Sequence, residues 1–169
     1  LLENLLAWAQ VQRGVMQFTP VDIDFHALVS EVFALYSDNA AAKKIKLGNE
    51  SEPGKIILAD HNMLHLLLRN LVYNAIKFTP EGGEIRVGVN ELPQFQEIFV
   101  ADSGVGINPK SIEGLFRIDK QSTTLGTNRE KGTGLGLVLC KDMIEKNGGQ
   151  IRVESELGKG TTFYFTIPR

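Results

Sequence analysis

The segment between residues 60 and 102 limits the possible folds most strongly, because it combines a long helical pattern with two alternating strands. Apolar residues recur at helical spacing after Asp60: Leu64, Leu67, Leu68, Leu71 and Ala75. The pattern stops at Thr79-Pro80-Glu81-Gly82-Gly83, a sequence typical of a helix breaker. Residues 84–90 alternate between apolar and polar, and residues 95–102 continue as a hairpin partner. A helix packed on an antiparallel hairpin is therefore predicted.

Similar patterns predict the remaining helices and strands. Helices are expected over residues 1–13, 24–43 and 135–147, with Asp24 as the N-cap of the second. Extended segments are expected at residues 16–23, 46–49, 55–59, 150–154 and 161–167. We expect an α+β fold, a two-layer α/β sandwich whose mixed, mostly antiparallel sheet of about five strands packs under three helices. Residues 117–132 are polar and lack periodicity, which predicts a long mobile loop of the kind that forms lids.

Composition excludes several classes of protein. The 169 residues and 43% hydrophobic content suit one buried core, so we expect one domain with a short extra element. The 18 Lys and Arg nearly balance the 20 Asp and Glu, and a net charge of -2 argues against a nucleic-acid partner. No apolar stretch approaches the ~18 residues that a membrane helix needs, and no signal peptide opens the chain, so we expect it to be cytoplasmic. The lone Cys140 is predicted to be a buried apolar residue.

The predicted central helix carries a polar stripe as well as an apolar face. Asn70, Asn74 and Lys77 recur at i, i+4 and i+7, so two amides and an ammonium share one side of the helix. Such a stripe is compatible with a solvated face, but asparagine is a poor helix former in mid-helix positions. The stripe is therefore a candidate ligand-binding surface.

Two further candidates lie at strand ends. Asp102 shares a strand face with Ile98 and Val100, so its carboxylate is expected to point into the apolar layer, where an adenine amino group could supply a donor. Thr161 alternates onto the inward face of the last strand, so its hydroxyl is expected near Asp102. A core threonine bonded to the backbone explains Thr161 equally well.

A glycine-rich turn precedes the last predicted helix. In Gly132-Thr133-Gly134-Leu135-Gly136-Leu137, exposed amides and the positive end of a helix dipole suit a phosphate. The segment follows no strand of a parallel unit and lacks Gly-Lys-Ser/Thr, which excludes the dinucleotide-binding and P-loop motifs.

Five segments together resemble the N, G1, F, G2 and G3 boxes of sensor histidine kinases. They are NLVYNAIKFTP at residues 70–80, DSGVGI at 102–107, Leu115-Phe116, GTGLGL at 132–137 and GKGTTF at 158–163. The resemblance covers about residues 20–168 and implies the Bergerat ATP-binding sandwich, in agreement with the layers expected above. It further implies that residues 1–14 end a helix of the dimerisation and phosphoacceptor domain, that residues 15–169 form the ATP-binding catalytic domain, and that residues 117–132 are its lid.

The resemblance also implies roles for individual residues. Asn74 is expected to hold Mg²⁺ through its side-chain oxygen, while Asn70 and Lys77 are expected to be catalytic, with Lys77 reaching the phosphates of ATP. Asp102 is expected to bind adenine with support from Thr161. The other nucleotide-binding residues that the resemblance implies are Phe78, Gly104, Gly106, Ile107, Arg129, Gly132, Thr133, Gly134, Leu135 and Gly136, and Arg117 beside the lid is a further candidate for the γ-phosphate.

The activity implied by the resemblance is transfer of the γ-phosphate of ATP to a histidine. His26, His61 and His65 do not lie in the sequence setting of the family's phosphoacceptor, and the chain starts in a helical pattern without Met. We therefore expect a longer protein, with the acceptor histidine upstream and possible membrane segments outside this chain. The implied partners are that histidine-bearing dimerisation domain and a response regulator receiver domain. The full-length protein is expected to be a homodimer, and this chain alone a monomer.

Two alternatives differ in the state of the site. Self-contained gyrase-type ATPases have a helix similar to the predicted central helix, but their helix carries a glutamate general base at the position of Asn70. An amide cannot accept a proton from water, which argues against efficient hydrolysis. A degenerate domain that only binds proteins would need a broken site, whereas the boxes are intact in this chain.

Overall fold

The computed structural model describes residues 2–120, 124–132 and 134–169. Its helices are α1 (Leu2–Gln12), α2 (Phe25–Leu35), α3 (Ser37–Ala42), α4 (His61–Phe78), α5 (Pro109–Ile112) and α6 (Gly136–Lys146), with a 3₁₀ turn at Ile118–Lys120. Its strands are β1 (Pro20–Asp24), β2 (Lys46–Asn49), β3 (Ile56–Asp60), β4 (Glu84–Glu91), β5 (Phe95–Asp102), β6 (Ile151–Glu156) and β7 (Gly160–Pro168).

Five of the strands form one mixed sheet in the order β2-β4-β5-β7-β6. Only the β2–β4 pair in this sheet is parallel, and the other three pairs are antiparallel. Strands β1 and β3 form a separate antiparallel pair, so β3 does not pair with β2 across the intervening turn. The predicted α+β class with a mostly antiparallel, five-stranded sheet is confirmed.

Helix α4 lies across the sheet with its apolar face inward, as its sequence pattern predicts. The Asp60 carboxylate caps its first turn by accepting a hydrogen bond from the Met63 amide at 2.9 Å. Fully buried side chains of α4 meet those of the sheet in one continuous core: Leu64, Leu67, Leu68 and Leu71 from the helix, and Ile85, Val87, Ile98, Val100 and Phe165 from the strands. Cys140 is buried in the same core, as predicted. None of the helices in the described ranges has the length and apolarity that crossing a bilayer requires.

One predicted helix is interrupted. The pattern over residues 24–43 predicts a single helix, but α2 ends at Leu35 and α3 begins at Ser37. Tyr36 between them leaves the helical region, with φ -108° and ψ 12°, and its ring packs against Tyr73 at 5.9 Å between centroids. The break occurs here because Ser, Asp and Asn follow directly, and their side chains compete for backbone hydrogen bonds. The hydroxyl of Ser37, for example, donates to the Ala34 carbonyl.

Helix α1 packs on the domain through a narrow stripe. Ala7 and Val11 are buried, and Trp8 is partly buried against the core. Gln12 donates to Asp142 of α6 at 2.7 Å, and Glu3 pairs with Arg69 of α4 at 3.0 Å. The opposite side of α1 leaves Leu2, Leu5 and Leu6 exposed.

Candidate functional site

A cavity of about 1070 Å³ lies between α4, the adjacent ends of β5 and β7, and the start of α6. It brings together most of the site residues that the sequence predicts. The predicted residues that line it are Asn70, Asn74, Lys77, Phe78, Asp102, Gly106, Ile107, Gly132, Gly134, Gly136 and Thr161. Residues of α4, β5 and β7 thus line one cavity, and the β5–β7 pairing places Asp102 at the end of β5 beside Thr161 at the start of β7.

Asp102 lies at the end of β5 with its side chain facing the cavity. Burial is the main influence on this carboxyl and raises its pKa to about 6, against two hydrogen bonds from the backbone of Gly104 and Thr161 that lower it. The Gly104 amide donates to Oδ1 at 2.8 Å. A half-buried carboxyl with remaining acceptor capacity suits a ligand that presents N–H donors.

Thr161 stands directly opposite Asp102 in the β5–β7 register and is buried, as its alternation predicts. Its hydroxyl pairs with the Ser155 hydroxyl at 2.8 Å. Ser155 also donates to the Gly160 carbonyl and accepts from the Ile107 amide at 2.8 Å. Ser155 therefore ties the Asp102 loop to the last hairpin. Sequence reasoning missed this residue, although its register across the 158–160 turn places it opposite Thr161.

The loop after Asp102 lies too close to other backbone for a side chain at two of its positions. A Cβ atom on Gly104 would stand 2.5 Å from the Phe78 carbonyl oxygen. Gly106 has φ +74°, and a Cβ atom there would overlap the carbonyl group of Glu156. Gly104 does not line the cavity. Gly104 instead donates its amide to Asp102 and, because it has no side chain, allows the loop to lie close to the end of α4.

The polar stripe of α4 faces the cavity rather than bulk solvent. Asn70 and Asn74 are half-buried, and Lys77 is only 4% exposed. Asn70 Oδ1 accepts a hydrogen bond from Asn4 Nδ2 at 3.1 Å, while its own Nδ2 is buried without a partner among the described residues. A buried amide donor without a partner is costly, so the arrangement suits a ligand acceptor at this point.

Lys77 also lines the cavity. Its ammonium stands 4.8 Å from the centroid of the Phe78 ring, and burial lowers its pKa while nearby Glu130 opposes that shift. Gly132 borders the same ammonium, since a Cβ atom on it would overlap Lys77 Nζ. A buried cation beside glycine backbone can bind an anion such as phosphate.

Helix α6 begins at the edge of the cavity, where Gly136 and Leu137 line it. Leu135 is its N-cap residue and offers no side-chain capping bond, so amides of the first turn depend on other acceptors. Gly136 lies against Asn70, whose Oδ1 would be 3.2 Å from an added Cβ atom. The glycine-rich segment therefore reaches the α4 stripe, as the combined motifs predict. Gly134 adopts φ +71°, a left-handed conformation that favours glycine.

Some predicted residues do not line the cavity. Arg129 is exposed, with φ +61°, and lies outside the lining, as does Leu135. Arg117 is also exposed and forms an ion pair with Asp119 at 2.7 Å. Thr133 lies outside the described residues. In the predicted Leu115-Phe116 box, Leu115 lines the cavity and the Phe116 ring packs edge-on against Phe163 at 6.4 Å.

Part of the predicted lid is bound to the end of α4. The Thr127 amide donates to the Lys77 carbonyl at 2.9 Å, and its hydroxyl donates to the Thr79 carbonyl at 3.1 Å. These bonds are polar and long-range, so the absence of apolar periodicity in this segment gave no sign of them. Residues 121–123 of the predicted lid lie outside the described residues, and its mobility stays a prediction.

Known proteins with similar sequences and structures share this arrangement of elements. Residues 59–169 match the family described as histidine kinase-, DNA gyrase B- and HSP90-like ATPase. The histidine protein kinase DivJ of Caulobacter vibrioides is 36% identical over 160 residues, which are 94% of this chain and 26% of DivJ. This chain spans about a fifth to a quarter of the length of the curated relatives it matches first.

Two solved histidine kinases extend the comparison. The catalytic domain of ThkA is 31% identical with a TM-score of 0.75, covering 90% of this chain and 96% of that domain. A complex of ThkA with the response regulator TrrA matches at 25% identity and a TM-score of 0.73, over 99% of this chain and 48% of that chain. Full-length ShkA in complex with AMPPNP is 28% identical with a TM-score of 0.81, over 98% of this chain and 34% of that chain.

Proposed function

Because the chain belongs to the family of histidine kinase-, DNA gyrase B- and HSP90-like ATPases, we propose that it is the catalytic domain of a sensor kinase. In this proposal the domain binds Mg-ATP and supplies the γ-phosphate to a histidine on another domain. One observation carries the proposal. A single cavity is lined both by the half-buried Asp102 carboxyl and by the buried Lys77 ammonium, which lies beside the Gly132 backbone. This combination suits a nucleotide, which has N–H donors on the base and negative charge on the phosphates.

The adenine end of the proposed complex is formed by the strand ends. Asp102 accepts a hydrogen bond from the adenine amino group, and the Gly104 amide holds the carboxylate in place at 2.8 Å. Ile107 and Phe163 add apolar surface beside it. Thr161 supports the contact through its backbone, which hydrogen-bonds the Asp102 carboxyl, while its hydroxyl pairs with Ser155. Discrimination between adenine and guanine follows, because guanine presents a carbonyl where adenine has an amino group, and a carboxylate cannot donate to it.

The phosphate end combines a cation with amide groups. Lys77 binds the phosphates through its ammonium, and Gly132 and Gly134 allow the backbone to approach them. The side chains available as ligands in the cavity are compatible with Mg²⁺. The described residues contain no cluster of three His, Cys, Asp or Glu side chains, whereas Asn74 brings an amide oxygen to the cavity. One such oxygen suits magnesium bound mainly by phosphate and water, and the ion would neutralise charge on the transferring phosphoryl group.

Transfer to a histidine, and not hydrolysis, is the proposed outcome because position 70 holds an amide. Asn70 can donate to a phosphate oxygen through the Nδ2 that has no partner among the described residues, but it cannot deprotonate water. The chain thus positions the nucleotide for an acceptor supplied from outside. Helix α1 is, in this proposal, the end of the helical domain that carries the acceptor. The proposal also includes a response regulator receiver domain as a partner, a homodimeric full-length protein and a cytoplasmic location.

Radiolabelled ATP tests the proposal. The 169-residue chain alone should bind Mg-ATP yet neither label itself nor hydrolyse ATP above a slow background. Together with a histidine-bearing phosphoacceptor domain of the same protein, it should give acid-labile phosphohistidine. Asn74→Ala should abolish labelling, whereas Asn62→Ala on the exposed side of the same helix should not. Rapid turnover by the chain alone would instead favour a gyrase-type ATPase, and labelling that survives Asn74→Ala would refute the proposed metal ligand.

A further inference from the structure

A buried lysine outside the predicted site lies beneath the end of α4. Lys43 follows α3 and is 3% exposed. Its ammonium donates to the carbonyl of Ile76 at 2.7 Å, to that of Lys77 at 3.2 Å and to Glu130 Oε1 at 2.8 Å. An ammonium has three N–H donors, so these three contacts satisfy it completely.

The partners of Lys43 explain how a cation is tolerated there. Two of them are carbonyls in the last turn of α4, where the helix dipole places negative partial charge. The third is a carboxylate, and a buried charge needs such a counter-charge to offset its lost hydration. Removal of Glu130 would leave the buried Lys43 ammonium without a counter-charge, whereas Glu130 is partly exposed to water. Lys43 therefore depends on Glu130.

Glu130 lies in the predicted lid, 87 positions away from Lys43 in the chain. Burial tends to raise its pKa, but hydrogen bonds from Lys43 and from the backbone of residues 130 and 128 outweigh burial and hold the pKa below its usual value. The two carboxylate oxygens have separate partners, because Oε2 accepts from the Asn128 amide at 2.8 Å. Glu130 thus closes a tight turn of its own segment while it binds Lys43.

That turn continues along Lys77. The Gly126 amide donates to the Glu130 carbonyl at 3.0 Å, and the Thr127 amide donates to the Lys77 carbonyl at 2.9 Å. A Cβ atom on Gly126 would stand 2.5 Å from Lys77 Cγ, and Gly132 borders the ammonium of the same side chain. Residues 126–132, which we call the docking segment, therefore follow the Lys77 side chain from its backbone to its charged end.

We propose that Lys43 is a positioning residue, which through Glu130 holds the docking segment against the end of α4. The held segment in turn sets the positions of the Lys77 ammonium and of Gly132 at the phosphate end of the cavity. The inference rests on the proposed function for the identity of the ligand, a nucleoside triphosphate. The docking itself is a property of the ligand-free chain and can be measured without nucleotide.

Glu130→Gln in the 169-residue chain tests the inference, because Glu130 is partly exposed and its substitution leaves the core intact. The matched control is Glu81→Gln, which removes the exposed ion pair of the neighbouring Lys44. Without nucleotide, amide hydrogen exchange over residues 126–132 should accelerate about tenfold or more in Glu130→Gln and stay unchanged in Glu81→Gln. Equal protection of this segment in wild type and Glu130→Gln would overturn the inference.

The second readout separates positioning from general destabilisation. Glu130→Gln should weaken ATP binding about tenfold and binding of adenosine about twofold or less, because only the triphosphate reaches Lys77 and Gly132. Equal weakening of both ligands would show a merely structural role and contradict positioning. If wild type binds no ATP, the proposed function fails, while the exchange measurement still decides whether the docking exists.

A double-mutant cycle assigns the effect to the pair. If Lys43→Met folds, adding Glu130→Gln to it should change segment exchange and ATP affinity little further, since the pair is already broken. Full additivity of the two substitutions would contradict the pair. Lys43→Arg, which keeps the charge and the donors, should retain more ATP affinity than Lys43→Met. If Lys43→Met does not fold, Glu130→Gln against its Glu81→Gln control remains decisive.

Discussion

Two regions around the cavity, which we call the sheet end and the loop end, use glycine in physically different ways. At the sheet end, formed by residues 102–107 and 155–161, added Cβ atoms would meet backbone: the Phe78 carbonyl at Gly104 and the Glu156 carbonyl at Gly106. At the loop end, formed by Lys77 and residues 126–132 and 134–136, Gly132 and Gly136 would instead meet the tips of the Lys77 and Asn70 side chains, and Gly126 alone of these three would meet backbone, at the Lys77 carbonyl. Backbone cannot move aside without disturbing a strand or helix, whereas a side-chain tip can rotate.

The sheet end is fixed by the fold, whereas the loop end is held mainly by contacts between side chains. The sheet end inherits its geometry from the β5–β7 and β6–β7 ladders, which set Asp102 opposite Thr161 and Thr161 opposite Ser155. Most of the loop end depends on a few charged and polar contacts over long sequence separations, such as the Lys43–Glu130 pair. We therefore expect substitutions at the sheet end to affect stability and recognition strongly, and those at the loop end to act on phosphate binding.

The largest effect is expected for Gly106→Ala. Alanine at a left-handed φ costs about 1–2 kcal/mol, and overlap with the Glu156 backbone adds a similar amount, for about 3 kcal/mol in total. Gly158→Ala has a similar φ of +79° but open space around the added atom, so it should cost only about 1 kcal/mol. Urea unfolding of both variants measures the difference. Equal costs would show that the 106 loop can relax and that the sheet end is less rigid than we infer.

Next in size is the effect of Asp102→Asn on ligand recognition. An amide in place of the carboxylate should lower ATP affinity by about one to two orders of magnitude, at about 1.4 kcal/mol per tenfold. Asp22→Asn, at an exposed position of β1, should leave affinity unchanged. Titration calorimetry gives both values. Unchanged ATP binding by Asp102→Asn would remove Asp102 from the proposed adenine contact.

The same substitution should have the opposite effect on the stability of the ligand-free chain. The folded-state pKa of Asp102 is raised from 3.8 to about 6, so ionised Asp102 disfavours the fold above that pH, and the penalty vanishes as pH falls through 6 towards 4. At pH 8 the free energy of unfolding of Asp102→Asn should therefore exceed that of wild type by about 1 kcal/mol, after allowance for a weakened backbone hydrogen bond. At pH 4 the variant should be no more stable than wild type.

Denaturant unfolding of wild type and Asp102→Asn across pH 4 to 8 checks this sign. If the stability of the variant relative to wild type increased as pH falls, or if the variant were less stable at pH 8, burial would not disfavour the carboxylate in the ligand-free chain. Together with weaker ATP binding, the expected gain would identify Asp102 as a group whose ionisation costs stability and is retained for recognition.

The smallest effect is expected at the loop end, for Gly132→Ala. The added methyl group meets only the flexible tip of Lys77, so the free energy of unfolding should change by less than about 0.5 kcal/mol. Displacement of the ammonium should nevertheless weaken ATP binding about threefold, with adenosine binding unaffected. Calorimetry with both ligands provides the comparison. A stability loss as large as that of Gly106→Ala would show that the two ends are equally rigid.

Local patterns were sufficient for most of the fold and for much of the site. Helix α4 and strands β4 and β5 follow from hydrophobic periods of 3.6 and 2, and the inward faces of Asp102 and Thr161 follow from strand alternation. The same reasoning joined α2 and α3 into one helix, because apolar spacing alone does not report how Ser37, Asp38 and Asn39 compete for backbone hydrogen bonds after Tyr36.

The sequence was enough to predict most of the elements, the face that each buries, and the glycine and polar motifs at their ends, because these depend on neighbours within a few positions. Three contacts became visible only in the folded chain: the Thr161 hydroxyl binds Ser155, Asn4 binds Asn70, and Lys43 pairs with Glu130. These contacts join residues whose patterns carry no mutual signal. The buried Lys43 ammonium is stabilised by two carbonyls and a carboxylate that converge on it, and that convergence exists only after the chain has folded.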